Sequence, residues 1–209
     1  MGAVTSPYSQ ATFPERSTVG FVPDMRDTGF TTIETERLRL RRFAPSDVAA
    51  FHGYRADDEV ARFQSWQHYT VEQAERFVHE MTRHDPGVPG DAFQFAVARR
   101  ADDVLVGDCM LALDAGDPAN AEIGYTLSPA YRGRGYAVEA AQAVLGYAFG
   151  RHEVALVRAV TDTRNVASIA VAERLGMRLV GTVHTSFKGE PCDEHTYEIT
   201  RAVWESRGA

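Results

Sequence analysis

Apolar and polar residues in the first eighty positions follow the spacings of one strand and two helices. Leucines alternate with arginines in residues 35–43, which predicts a half-buried strand. The sequence Pro-Ser-Asp at 45–47 is typical of a helix start, and apolar residues recur behind it at helical spacing. A second helix is predicted up to about residue 81, because Thr70 and Gln73 have the spacing of a capping box before an apolar stripe.

The second half of the chain alternates between strand-like and helix-like segments. Three strands are predicted at 92–100, 104–113 and 121–127, and their short polar connections favour an antiparallel meander. The remaining pattern predicts, in chain order, a glycine loop with a helix from 131, a buried strand at 154–162, a short helix at 165–177, and a final hairpin with strands 178–187 and 195–204 around a polar turn.

This order of elements predicts an α/β fold. Its sheet is expected to be antiparallel in the first half, with a single crossover around the glycine loop. Residues 1–30 are rich in Ser, Thr, Pro and Gly and have no sustained periodicity. We therefore expect a flexible N-terminal extension at 1–30 and a single domain at 31–209.

Composition narrows the class of protein. The net charge of −7 argues against nucleic-acid binding, which needs a basic face. No apolar run approaches the length that spans a bilayer, and the first thirty residues lack the basic and apolar regions of a secretory signal. Cys109 and Cys192 do not make a disulfide framework, and the histidines lack metal-ligand spacing. We expect a cytoplasmic protein without a metal, a membrane or a nucleic-acid partner.

The stretch YRGRGYAVEAA at 131–141 is typical of an anion-binding loop. The first turn of a helix leaves backbone N–H groups without internal partners, and glycines let a ligand approach them. A dinucleotide site is disfavoured, because Gly133 and Gly135 match the first two glycines of its motif but the third position is Val138. A P-loop is disfavoured because no Gly-Lys-Ser/Thr follows.

The loop and its surroundings resemble a known family. Residues 132–137 fit the pattern R-x-x-G-x-A and look like the acetyl-CoA pyrophosphate loop of the GNAT superfamily of N-acyltransferases. Residues 35–51, 122–140 and 165–181 are similar to segments of its RimJ/RimL-like branch, in the same order. The resemblance covers 31–204.

The resemblance implies a GNAT-like mixed, mostly antiparallel sheet of about six to seven strands, splayed after the fourth strand and flanked by about four helices. Acetyl-CoA would be the cosubstrate, with pantetheine on the backbone of the fourth strand and pyrophosphate on the loop amides. The residues expected to bind it are Tyr125, Thr126, Leu127, Arg132, Gly133, Arg134, Gly135, Tyr136, Ala137, Val138, Asn165 and Ser168.

The catalytic assignments rest on fewer signals. Glu122, at the start of the fourth strand, is the first candidate for the general base, and an ordinary strand-edge glutamate is the alternative reading. His184 is the second candidate. Many family members carry a tyrosine acid where this chain has Ala172, so Ser168 is the candidate for protonating the departing thiolate.

The predicted activity is N-acetylation of a primary amine, either a protein N-terminus or a small molecule, by direct attack in a ternary complex. Trp66 and Glu122 are expected to contact the acceptor, although Trp66 also fits a packed core position. Two alternatives stay open: an acyl-CoA-binding sensor or scaffold without turnover, and a nicotinamide-dependent oxidoreductase. The resemblance is also compatible with a homodimer, and the acceptor has no sequence signature.

Overall fold

One eight-stranded sheet organises the part of the chain that the computed structural model describes, residues 25–151 and 153–207. The strands are β1 (Thr32–Glu34), β2 (Leu38–Arg41), β3 (Ala92–Arg99), β4 (Leu105–Leu113), β5 (Asn120–Leu127), β6 (Leu156–Asp162), β7 (Arg178–Phe187) and β8 (Glu190–Thr200). The helices are α1 (Val48–Arg55), α2 (Asp58–Ala61), α3 (Val71–Met81), α4 (Tyr136–Arg151), α5 (Val166–Arg174) and α6 (Arg201–Arg207).

The strand order is β1-β2-β3-β4-β5-β6-β8-β7. Strands β1 to β5 form an antiparallel meander, and β5 and β6 are parallel neighbours joined through α4. The predicted mixed α/β fold, antiparallel in its first half, is therefore confirmed. The prediction of a single crossover was wrong, since the chain also crosses from β6 through α5 over β8 to β7. The sheet has more strands, and the described residues more helices, than predicted, because β1, α2 and α6 are each too short for periodicity to reveal. Within the described ranges, no helix has the length and apolarity to cross a membrane.

The last hairpin differs from its prediction. The turn consists of two residues, Lys188 and Gly189, whose φ angles are +55° and +82°. Positive φ at both central positions is the geometry of the tightest hairpins. The polar segment after it, predicted as a loop, is instead the start of β8, where Cys192 and Glu194 are buried on alternate positions. The predicted strand at 195–204 was wrong at its end, since α6 begins at Arg201.

Packing begins before residue 31. Phe30, at the end of the predicted extension, is buried, and its ring meets those of Phe93, Phe95 and Tyr147 edge-on at 5.3–5.7 Å between centroids. Residues 1–24 of the predicted extension lie outside the described residues.

A buried polar network interrupts the apolar face that α1 and α3 cover. Asp108 on β4 is 1% exposed and accepts hydrogen bonds from Tyr54, Arg55 and Gln94. The Arg55 Nη2 to Asp108 Oδ1 distance is 2.8 Å, and Arg55 is 4% exposed. Burial and the Asp108 carboxylate raise the pKa of Tyr54, so the phenol stays a neutral donor. This network ties α1 to the middle of the sheet.

Replacing Asp108 with alanine is expected to lower the free energy of unfolding by about 3–5 kcal/mol, because it leaves the Arg55 guanidinium buried without its counter-ion. Urea denaturation measures this change. The control is Glu34→Ala, which breaks an exposed pair with Arg39 and should cost less than about 1 kcal/mol. Equal losses of unfolding free energy in the two variants would contradict the conclusion that the Asp108 network stabilises the fold.

Candidate active site

The strands β5 and β6 separate after a short paired stretch. Their parallel register covers three residue pairs and ends at Glu122 and Arg158. Beyond that point β5 stays paired with β4 up to Leu127, and β6 stays paired with β8 up to Asp162. The facing edges of β5 and β6 therefore enclose a wedge-shaped gap, as predicted for the segment after the fourth strand.

A cavity of about 900 Å³ opens at this gap and extends over the α1–α3 face of the sheet. Its size lies within the usual range for small-molecule sites. Apart from His184, the second candidate base, the cavity wall brings together all but one of the predicted site residues, namely Trp66, Glu122, Tyr125, Thr126, Leu127, Arg132, Gly133, Gly135, Tyr136, Ala137, Val138, Asn165 and Ser168. Arg134 does not line it.

The glycine loop presents its backbone to one end of the cavity. Gly133 and Gly135 have φ angles of +74° and +79°, which side chains rarely tolerate. An added Cβ would meet nothing within 4 Å at Gly133. The first hydrogen bond inside α4 runs from Glu139 N to Gly135 O at 3.1 Å, so the earlier N–H groups have no carbonyl of their own helix to donate to. The N–H groups at the start of α4 are therefore donors that the helix itself does not use.

A clamp that the sequence analysis missed holds this loop. The Glu139 carboxylate accepts hydrogen bonds from the Thr35 hydroxyl (2.6 Å) and from the Arg37 backbone N–H (2.9 Å) and Nε (2.7 Å). Arg37 Nη1 then donates to the Arg134 carbonyl at 2.9 Å. Burial opposes ionisation of Glu139, but these hydrogen bonds lower its pKa below the usual value. Arg134 takes part in this clamp through its backbone carbonyl.

Tyr125 and Ser168 meet across the gap. The Tyr125 hydroxyl donates to the Ser168 carbonyl at 2.9 Å, and the Ser168 hydroxyl lies 3.2 Å from the Tyr125 hydroxyl and donates to it. Burial raises the pKa of Tyr125 to about 12, so its phenol is neutral at physiological pH. Ala172, at the position of the family tyrosine, is a residue of α5 and is 1% exposed. A phenol is thus supplied from β5, which sequence comparison at Ala172 alone would miss.

Asn165 begins α5 and faces the same gap. Its Oδ1 accepts a hydrogen bond from the Ser168 backbone N–H at 3.2 Å. The side chain therefore acts as an N-cap, and its Nδ2 donor group is left for another acceptor. The cap and the predicted ligand contact are compatible, since they use different atoms.

Aromatic side chains from the segment after α2, Trp66 among them, line another part of the cavity, and a lysine outside its lining contacts that segment. The Trp66 ring lies on the Arg55 guanidinium, 3.8 Å from centroid to Cζ, and its Nε1 donates to the Arg55 carbonyl at 3.0 Å. Lys188, at the tip of the β7–β8 hairpin, donates from Nζ to the carbonyls of Ala61 (2.7 Å) and Trp66 (2.6 Å). The hairpin thus holds the segment after α2 in place over the cavity.

The two candidate bases differ in position. Glu122 is half-buried and lines the cavity at the closed end of the gap. The His184 side chain is 76% exposed, pairs with Asp193 at 2.7 Å, and does not line the cavity. Its strand alternation turns it away from the site, so the second candidate base was wrong. In the described ranges, no group of three or more His, Cys, Asp or Glu side chains could hold a metal ion.

Comparison with known proteins gives a consistent result. The model of the acetyltransferase (GNAT) domain matches residues 37–178. An uncharacterised N-acetyltransferase of Bacillus subtilis, YnaD, is 33% identical over 175 residues, which cover 82% of this chain and 98% of that protein. A GNAT-family acetyltransferase structure from Bacillus anthracis is 31% identical with a TM-score of 0.73, covering 82% of this chain and 99% of that one.

The fold is also that of RimL, the ribosomal L7/L12 alpha-N-protein acetyltransferase solved in complex with coenzyme A. That structure has a TM-score of 0.69 and 20% identity over 82% of this chain and 99% of its own. The domain match spans more than half of the sequence and includes the glycine loop and the gap. The chain therefore belongs to the GNAT family and is an acyl-CoA-dependent acetyltransferase.

Proposed function

We propose that this protein transfers the acetyl group of acetyl-CoA to a primary amine by direct attack in a ternary complex. The observation that carries the proposal is the gap between β5 and β6, which opens into one cavity lined by the glycine loop and by the aromatic residues around Trp66. One substrate thus has the loop part of the cavity, and the other has the part around Trp66. The acceptor is an amine of a small molecule or of a protein N-terminus.

Acetyl-CoA fits the residues on the loop side. The N–H groups at the start of α4 and the positive end of its dipole suit a pyrophosphate. The edge of β5 from Tyr125 to Leu127 faces the gap, and its backbone groups suit the amides of pantetheine, as a further strand would. The free Nδ2 of Asn165 is a donor for a carbonyl on the same arm.

The chemistry requires three roles. An alkylamine arrives protonated at neutral pH, so Glu122 takes its proton, directly or through water. The neutral amine attacks the thioester carbon, a C–N bond forms, and a backbone N–H of β5 stabilises the developing oxyanion. The C–S bond then breaks and the thiolate receives the Ser168 hydroxyl proton. The serine regains a proton, through water, from the positively charged nitrogen that the attack created, and Tyr125 positions the Ser168 hydroxyl through their hydrogen bond.

Thiol release in the presence of acetyl-CoA and a panel of amines and N-terminal peptides tests the activity. We expect one CoA thiol per acetylated amine, with the product identified by mass spectrometry. CoA binding without turnover on any acceptor would favour the sensor alternative, and stabilisation by NAD alone would contradict the proposal.

Substitution of Gly135 by alanine is expected to weaken CoA binding about tenfold. A side chain at φ +79° costs roughly 1–2 kcal/mol of backbone strain, and about 1.4 kcal/mol corresponds to a factor of ten. Isothermal titration calorimetry with CoA measures the loss. Gly150→Ala, in α4 with open space around the added methyl, is the matched control and should leave the affinity unchanged.

Tyr125→Phe and Ser168→Ala are each expected to lower kcat about tenfold with little change in CoA affinity. Because the two hydroxyls act as one donor chain, the double variant should be no slower than Ser168→Ala. Wild-type kcat should have no alkaline limb from Tyr125 below about pH 10, since its pKa is raised to about 12. If the losses of kcat add up in the double variant, the two hydroxyls act independently and the predicted donor chain is wrong.

A further inference from the structure

Glu194 on β8 is a buried carboxylate that the reaction above does not use. The residue is 7% exposed and lines the cavity. Its side chain makes no hydrogen bond or ion pair with any residue in the described ranges. Burying a carboxylate without a partner costs free energy of folding. Because this one lines a ligand cavity, a cationic group of a ligand would remove that cost.

Strand alternation sets Glu194 and Glu122 on the same face of the sheet. Ile123 on β5 and Ala159 on β6 belong to the core beneath α4, so Glu122 and Asp162 point to the opposite, cavity face. Glu194 lies beside Asp162 in the β6–β8 register. The carboxylates of Glu122 and Glu194 line the same cavity. Their register positions on β6 are four residues apart, which corresponds to about 13 Å along the strands.

The charged groups around Glu194 do not neutralise it. Asp162 is its direct neighbour, and that carboxylate is held by Arg164 through Nε at 2.9 Å and through Nη2. Arg62, at the end of α2, acts on Asp162 rather than on Glu194. On β8 the next inward residue is Cys192, whose thiol pKa is raised by burial and by Glu194, and the β7 residue in register is a valine. Burial and Asp162 together raise the pKa of Glu194.

We infer that Glu194 binds a second cationic group of the acceptor, so that the preferred substrates are amines carrying another ammonium or guanidinium several bonds from the reacting nitrogen. The inference rests on the proposed function. Glu122 receives the proton of the reacting amine at the closed end of the gap, while the second cation neutralises Glu194 farther along the cavity. Aromatic side chains that line the same cavity, Trp66 among them, suit a methylene chain that joins two charges.

Paired acceptors test this assignment. Linear α,ω-diamines of three to eight carbons are compared with monoamines of the same length. For the wild-type enzyme, kcat/KM should favour the diamine at least tenfold at the best length. Glu194→Gln should abolish that preference and leave the monoamine rate within about twofold. Glu59→Gln, at an exposed carboxylate of the same cavity, is the matched control and should retain the preference.

Stability gives a readout that is independent of turnover. Because the pKa of Glu194 is raised in the folded state, ionisation opposes folding, and the cost appears as the pH rises from the unfolded value through the folded one. The Glu194→Gln variant should therefore melt above the wild type at pH 7–8, with the difference shrinking below pH 4. The best diamine should raise the wild-type melting temperature more than its monoamine does, and should not do so in the variant.

The outcomes separate the inference from the function on which it rests. No acetylation of any amine by the wild type, together with CoA binding, would overturn the proposed function. Turnover with equal kcat/KM for diamine and monoamine, or a diamine preference that survives Glu194→Gln, would overturn the inference alone. Equal loss of kcat on both acceptor classes in Glu194→Gln would also overturn it, and would assign this carboxylate to proton transfer.

Discussion

The site depends on one constraint, the separation of β5 from β6 after three residue pairs. Each strand keeps its pairing along its outer edge, β5 with β4 and β6 with β8, while the inner edges are not paired with each other beyond Glu122 and Arg158. A sheet edge left inside a protein carries unpaired N–H and C=O groups, which need a partner. In the proposed function, the amide groups of pantetheine meet these groups along β5.

Two parts of the cavity wall are held in place by different contacts. At the loop end, Arg37 and Glu139 fix the chain that leads into α4, so the amides keep their direction before the anion arrives. In the other part, Lys188 at the hairpin tip donates to the carbonyl of Trp66 and so holds the segment that carries this residue. Both devices join residues that are distant in sequence and preorganise the site before substrates bind.

Two buried carboxylates on the cavity face have opposite energetics. Asp108 has three donors and a guanidinium, so its burial strengthens the fold. Glu194 has only the repulsion of a neighbouring carboxylate and the loss of hydration, so its burial weakens the fold. Structural networks satisfy their charges internally, whereas a binding site leaves a charge for the ligand to satisfy. Sequence pattern alone treats the two residues alike, as single acids within strands.

By itself the sequence determined the order of elements, the mixed sheet with its first crossover, the glycine loop and the family, because these depend on local periodicity and on motifs that a few adjacent residues complete. It placed the hairpin turn wrongly, since a polar run such as 190–194 becomes strand only when β6 and β7 pair with it. Only the tertiary structure decided that Tyr125 meets Ser168, that His184 points away, and that Glu194 is buried without a partner. Those properties arise from which strands become neighbours, and burial and hydrogen bonding are set by neighbours in space rather than in sequence.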